Sequence, residues 1–149
     1  MQTPRYDKEI FYNKNYMFSG KEEVSENLPE QFLPYLEYVN KEYGMEYNQV
    51  VVNWFENGDD YIPLHCDCEI SKLENSDVIV VSIGANRTFR VKSLPKSKQQ
   101  YIENVDITCR DGTVVCMKGN IQRDFKHGIP KSTGILPRIS VSFRAYVPS

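Results

Sequence analysis

From Asn48 to the C-terminus the chain is a succession of short β-prone segments separated by turn residues, and this pattern restricts the fold more than any other feature. The segments are Gln49 to Phe55, Leu64 to Ile70, Val78 to Ile83, Thr88 to Lys92, Tyr101 to Cys109, Thr113 to Met117, Arg123 to Gly128 and Arg138 to Tyr146. Asn57-Gly58, Gly84-Ala85-Asn86, Asp111-Gly112 and Gly119-Asn120 punctuate them, and such residues mark turns. Asp111-Gly112 between two β-rich runs predicts a hairpin. Ahead of the strands, Phe32, Leu36, Val39 and Tyr43 recur with the spacing of one apolar helix face. Leu28-Pro29 opens this helix, Pro34 near its first turn allows a later start, and Gly44 ends it. One helix followed by about eight strands predicts a mostly β fold with α decoration, a double-stranded β-helix or jelly roll. Residues 1–27 are polar and aromatic without a clear period, and are expected to form an irregular or hairpin segment over the core.

A chain of 149 residues with 40% hydrophobic and 26% charged residues is one domain with room for one real core. Tyr is abundant at 10 and Ala is confined to Ala85 and Ala145, a bias toward strands. The net charge of -2 does not mark a nucleic-acid binder. Locally, Arg87, Arg90, Lys92, Lys96 and Lys98 form a basic cluster, either a solvated face or a strip that contacts phosphates of a substrate. The sequence holds Cys66, Cys68, Cys109 and Cys116 and no apolar run of membrane-spanning length or signal peptide. Reduced thiols and an intracellular location, without membrane association, are the simplest expectation.

Both histidines sit near groups that suit a metal. His65 begins His65-Cys66-Asp67-Cys68-Glu69, and His127 follows 62 residues later. In an extended chain His65, Asp67 and Glu69 share one face, and Cys66 and Cys68 share the other. Two imidazoles and a carboxylate form the facial triad of non-heme Fe(II) oxygenases, with open positions for co-substrate and O2. A zinc site on His65, Cys66 and Cys68 is disfavoured, because the cysteines point away and lie closer than zinc-binding pairs usually do. Eleven residues past His127, Arg138 and Arg144 share one strand face with Ser140. Two arginines so placed suit a carboxylate or dicarboxylate.

Taken in order, these motifs resemble the AlkB family of Fe(II)/2-oxoglutarate dioxygenases, over about Pro4 to Tyr146. Asn53-Trp54-Phe55 with Asn57-Gly58 is similar to the family's segment ahead of the metal motif, and His65-Cys66-Asp67-Cys68-Glu69 to the metal motif of its repair members. Val81-Ser82-Ile83-Gly84-Ala85-Asn86-Arg87-Thr88-Phe89, the strand from Gln122 to Lys131, and Pro137 to Arg144 resemble its later strands.

The resemblance implies roles. His65, Asp67 and His127 would ligate iron. Arg138 and Arg144 would bind 2-oxoglutarate with Asn53 and Ser140. Glu69 would face the substrate base. Residues 1–27 would supply a substrate lid, with Phe18 stacking on a flipped base and Tyr16 and Arg5 contacting it or its backbone, and residues 28–149 the catalytic domain. The implied activity is oxidative demethylation of 1-methyladenine or 3-methylcytosine in DNA or RNA, by a monomer acting on single strands, with release of formaldehyde, succinate and CO2. Two alternatives are a same-fold oxygenase that hydroxylates a protein or small molecule, and a non-catalytic jelly-roll binding module. Two departures carry expectations. Phe55 stands where the family has a tyrosine, so loss of a hydroxyl bond worth about 1.5–3 kcal/mol predicts weaker 2-oxoglutarate binding. Met1 lies almost at the lid, where family members usually carry more chain, which reduces the surface for gripping a duplex.

Overall fold

A computed structural model of the chain describes the backbone of residues 7–12, 16–18 and 21–23, and backbone and side chains of 27–66, 77–94, 104–118, 121 and 124–145. Eight strands follow the helix among the described residues. They are β4 (Gln49–Phe55), β5 (Ile62–His65), β6 (Val78–Gly84), β7 (Arg87–Ser93), β8 (Asn104–Cys109), β9 (Val114–Met117), β10 (Phe125–Ile129) and β11 (Arg138–Arg144). Before them lie β1 (Asp7–Tyr12), β2 (Tyr16–Phe18), β3 (Lys21–Glu23), a 3-10 turn at Glu30–Phe32 and α1 (Leu33–Tyr43).

The helix begins later than Leu28-Pro29, since Pro34 sits in its first turn and the preceding residues take the tighter 3-10 form. Gly44 closes it at φ 64°, a left-handed conformation that costs glycine little. No helix among the described residues is long and apolar enough to cross a membrane.

Two antiparallel sheets face each other as a jelly roll. The larger runs β1-β4-β11-β6-β9 and the smaller β5-β10-β7-β8. The N-terminal segment is more regular than its composition predicts. β2 and β3 pair as a hairpin, but β1 pairs along its length with β4 and is the edge strand of the large sheet. Backbone pairing supplies that order, and a hydrophobic period is not required for an edge strand.

The large sheet is buried on both faces, which explains the near-continuous apolar runs of β4 and β6. One face carries Val50, Val52, Ile79, Val81, Val141 and Phe143 against Leu36 and Val39 of α1. The other carries Phe55, Val78 and Val80 against Phe89, Val91, Phe125 and Ile129 of the small sheet. Each such side chain contributes about 1.5–3 kcal/mol when fully buried. In the small sheet only one face is dry, so β7 and β8 alternate buried with more exposed residues. The gap between the two sheets holds the site.

Candidate metal and dicarboxylate site

β5 and β10 bring the two histidines together. His65 pairs directly with His127 across the antiparallel ladder. The ring centroids are 4.4 Å apart, with the planes inclined at 53°. Two local features permit this approach. A Cβ on Gly128 would lie 2.6 Å from the Ile62 carbonyl oxygen, so only glycine lets β5 come this close. The register also shifts: β5 takes three steps, Ile62 to His65, where β10 takes two, Ile129 to His127. A bulge of this kind bends the strand and re-aims its side chains.

His65 Nδ1 lies 2.9 Å from the Pro63 carbonyl oxygen. A carbonyl can only accept, so the proton belongs on Nδ1 and the lone pair on Nε2. That is the tautomer of a metal-binding imidazole oriented by a backbone carbonyl. His127 is 5% exposed and stacks on Phe89, with centroids 5.7 Å apart and planes within 10°. The stack fixes the imidazole plane.

The opposite wall is β11. Arg138, Ser140, Ser142 and Arg144 line one cavity together with Asn53, His65 and His127. Residues six apart on a strand are separated by about 20 Å. Long side chains lean along the strand, which lets both arginines reach one cavity. Asn53 Nδ2 donates to Ser140 Oγ at 3.3 Å. Arg138, only 1% exposed, donates from Nη2 to Ser82 Oγ at 2.8 Å. Its Nε and Nη1 make no hydrogen bond of good geometry among the described residues, although the buried Cys109 thiol lies beside the guanidinium as a weak neighbour. Burial draws its pKa down to about 10, which leaves it cationic at neutral pH. A buried cation with two open N–H groups fits a carboxylate, which can accept two parallel hydrogen bonds and offset the desolvation. The donor set thus fits both groups that the sequence points to: two adjacent imidazoles for iron, His65 in the ligand tautomer, and a guanidinium with N–H groups to offer the dicarboxylate.

Six of the expected site residues, His65, His127, Asn53, Arg138, Ser140 and Arg144, therefore converge on one cavity. Asp67, Glu69 and Arg5 lie outside the described residues, as do Cys68, Lys96 and Lys98 and the side chains of Tyr16 and Phe18. Arg87 differs from its expected place on a substrate-facing strip. It is 4% exposed and donates from Nη1 to the Asn57 carbonyl at 3.2 Å and from Nη2 to those of Asp60 at 2.7 Å and Pro130 at 2.8 Å. It shares the inward face of β7 with Phe89 and Val91, and that parity is visible in the sequence. Arg90 and Lys92 take the outward face, where Arg90 is paired to Asp106 at 2.9 Å and Lys92 sits opposite exposed Lys126.

Sequence reasoning did not anticipate Phe89, Ser82 or Ser142 in the site. Ser142 was accessible by parity with Arg138 and Arg144, whereas Phe89 and Ser82 are brought in by strands distant in sequence. Phe55, at the position of the family tyrosine, is 1% exposed, and the guanidiniums of Arg87 and Arg138 both lie over its ring, each 5.2 Å from the centroid.

Comparison with known proteins agrees with this geometry. The family model of the 2OG-Fe(II) oxygenase superfamily matches residues 7–144. Alpha-ketoglutarate-dependent dioxygenase alkB homolog 3 of Homo sapiens is 31% identical over 110 residues, covering 70% of this chain and 38% of that protein. DNA oxidative demethylase ALKBH2 of Mus musculus is 29% identical over 142 residues, covering 90% of this chain and 58% of that protein. The chain thus spans well under two thirds of the length of these relatives. The solved structure of OsALKBH1 superposes with a TM-score of 0.64 at 14% identity, over 97% of this chain and 81% of that one, a likeness of fold. With a jelly roll that joins two histidines and a buried arginine pair in one cavity, the chain belongs to the 2OG-Fe(II) oxygenase superfamily, whose name carries Fe(II) and 2-oxoglutarate, and within it is similar to the AlkB homologues.

Proposed function

We propose that this protein is an oxidative demethylase of N-methylated nucleobases, of the 1-methyladenine and 3-methylcytosine type, acting as a monomer on single-stranded DNA or RNA inside the cell. The observation that carries the chemistry is the shared cavity of His65, His127 and Arg138. His65 and His127, with Asp67, would hold the iron. Arg138 and Arg144, with Asn53 and Ser140, hold 2-oxoglutarate. When bound, Fe(II) with 2-oxoglutarate and O2 would supply the oxidation that removes an N-methyl group as formaldehyde, with succinate and CO2 as co-products.

The chain's own residues orient and enclose. Pro63 and Phe89 hold the two imidazole planes. Ser82 holds one edge of Arg138 and leaves its other N–H groups to the co-substrate. Glu69, Phe18, Tyr16 and Arg5 select and cover the base. Two observations support a nucleic acid as substrate: relatives that bear the name DNA oxidative demethylase, and the Lys92 and Lys126 pair on the outer face of the small sheet. Directly opposed like charges disfavour the sheet, and phosphates would relieve that repulsion. A single strand avoids the cost, on the order of a few kcal/mol, of extruding a base from a duplex.

The test is mass spectrometry of a single-stranded oligonucleotide bearing one 1-methyladenine, incubated with protein, Fe(II), 2-oxoglutarate and ascorbate. The expected result is loss of one methylene's mass with the native protein and none with His127→Ala. An unchanged oligonucleotide, from protein shown to bind Fe(II) and 2-oxoglutarate, would reject a base substrate and favour a protein or small-molecule one.

A further inference from the structure

Arg87 carries an uncommon load for a residue that faces no solvent. It is buried, it spends both terminal nitrogens on three backbone carbonyls, and its guanidinium lies over Phe55. The three carbonyls belong to two separate loops, the turn after β4 (Asn57 and Asp60) and the start of the β10–β11 connection (Pro130). Those loops are also laced by backbone bonds, Gly58 N to Gly134 O and Ser132 N to Gly58 O, each 2.8 Å. The connection leads into Arg138, and the turn follows Phe55, which pairs directly with Arg138 across β4 and β11. Both ends of the Phe55–Arg138 contact therefore hang from groups that Arg87 holds.

We propose that Arg87 is a positioning residue for the co-substrate: it clamps the Phe55 ring, and through that ring holds the Arg138 guanidinium with Nε and Nη1 facing the cavity. This deepens the assignment of Arg138 to a 2-oxoglutarate carboxylate, and rests on it. The chemistry calls for this arrangement. Phe55 has no hydroxyl with which to fix either the carboxylate or Arg138, so a flat π-surface that both guanidiniums contact takes over the orienting task. Lysine could not substitute for Arg87, because one ammonium on a flexible stem cannot stack on the ring while bonding both loops as a planar fork does.

The test measures 2-oxoglutarate affinity calorimetrically, without O2, on the full chain loaded with Mn(II), alongside Mn(II) affinity and thermal stability. Arg87→Met is expected to weaken 2-oxoglutarate binding about tenfold and to leave Mn(II) affinity within about twofold. Phe55→Leu, which keeps an apolar side chain of somewhat smaller volume and removes the π-face, is expected to do the same. The double variant is expected to be no more than about threefold worse than the weaker single one, because both substitutions break the same chain of contacts. A merely structural Arg87 would lower stability and the binding-competent fraction while the affinity of the folded protein stayed native, and that result overturns the proposal. If Arg87→Met does not fold, Phe55→Leu decides alone, and native affinity there overturns it. A native chain that binds Mn(II) but no 2-oxoglutarate would remove the Arg138 assignment itself; a native chain that binds it, with variants that bind equally, would remove only the role of Arg87.

Discussion

His65 and His127 are paired residues of adjacent antiparallel strands whose imidazoles sit 4.4 Å apart, at a point where β5 bulges and Gly128 leaves room for it. The ladder that builds the small sheet therefore also builds the metal site. Replacing Gly128 with alanine should disturb both. Its Cβ would meet the Ile62 carbonyl at 2.6 Å, and the neighbours are backbone that gives little. The expected cost is about 1–3 kcal/mol of stability, as for overpacked interiors, accompanied by weaker metal binding. Urea denaturation and Mn(II) titration of Gly128→Ala check this, and native metal affinity would count against the bulge as the device that sets the site.

Arg138→Met should separate binding from stability. The arginine is buried with two N–H directions open, so in the empty protein it is a desolvated charge with incomplete compensation. Replacing such a charge with an apolar side chain of similar size is often neutral or stabilising. The unfolding midpoint should stay within about 4 °C of native, while 2-oxoglutarate binding is abolished. A large drop in Tm would show that Arg138 holds the fold.

The pH dependence of co-substrate binding follows from the same residue. Burial lowers Arg138 to about 10. For a base a lowered value still leaves the charged form below it, so the carboxylate partner persists through the neutral range. Calorimetric 2-oxoglutarate affinity should be flat between about pH 7 and 9 and decline as pH passes about 10. A steep decline already near pH 8 would point to another cation as the anchor.

The outer face of the small sheet should read as a phosphate contact. Lys92→Gln with Lys126→Gln should weaken binding of a single-stranded oligonucleotide and reduce the slope of log affinity against log salt by about 1.4, roughly 0.7 for each single-strand phosphate that is no longer neutralised. Affinity for 2-oxoglutarate should not change, because both side chains lie on the face of the sheet away from the cavity. An unaltered salt slope would assign that face to solvent.

Much of the fold was legible because period and punctuation are local. β4 runs from Gln49 to Phe55 as its β-rich run predicts, and the Gly44 stop falls where the turn chemistry puts it. The hairpin expected at Asp111-Gly112 does not form: the turn is there, but it carries the chain from β8 in the small sheet to β9 in the large one, whose partners are β7 and β6 respectively, and a local turn signal cannot say which strands pair. The metal motif, the distal histidine and the paired arginines were likewise readable as residue types at fixed spacing. β1 escapes a reading by pattern, because an edge strand can be held by backbone bonds to β4 without an apolar period.

Alternation along an extended chain already assigns side chains to faces: Arg138, Ser140, Ser142 and Arg144 on β11, and Arg87, Phe89 and Val91 on β7. A two-residue period is an intrinsic property of extended backbone, so no partner is needed to state it. The long-range packing of the sheets sets what those faces meet. It set His127 against His65 and Phe89, Arg138 against Ser82 and Phe55, and turned Arg87 from an expected surface contact into a buried tie between two loops. Those outcomes depend on strand order, register and a bulge, all fixed by long-range pairing between segments as far apart as Ser82 and Arg138, which no local pattern encodes.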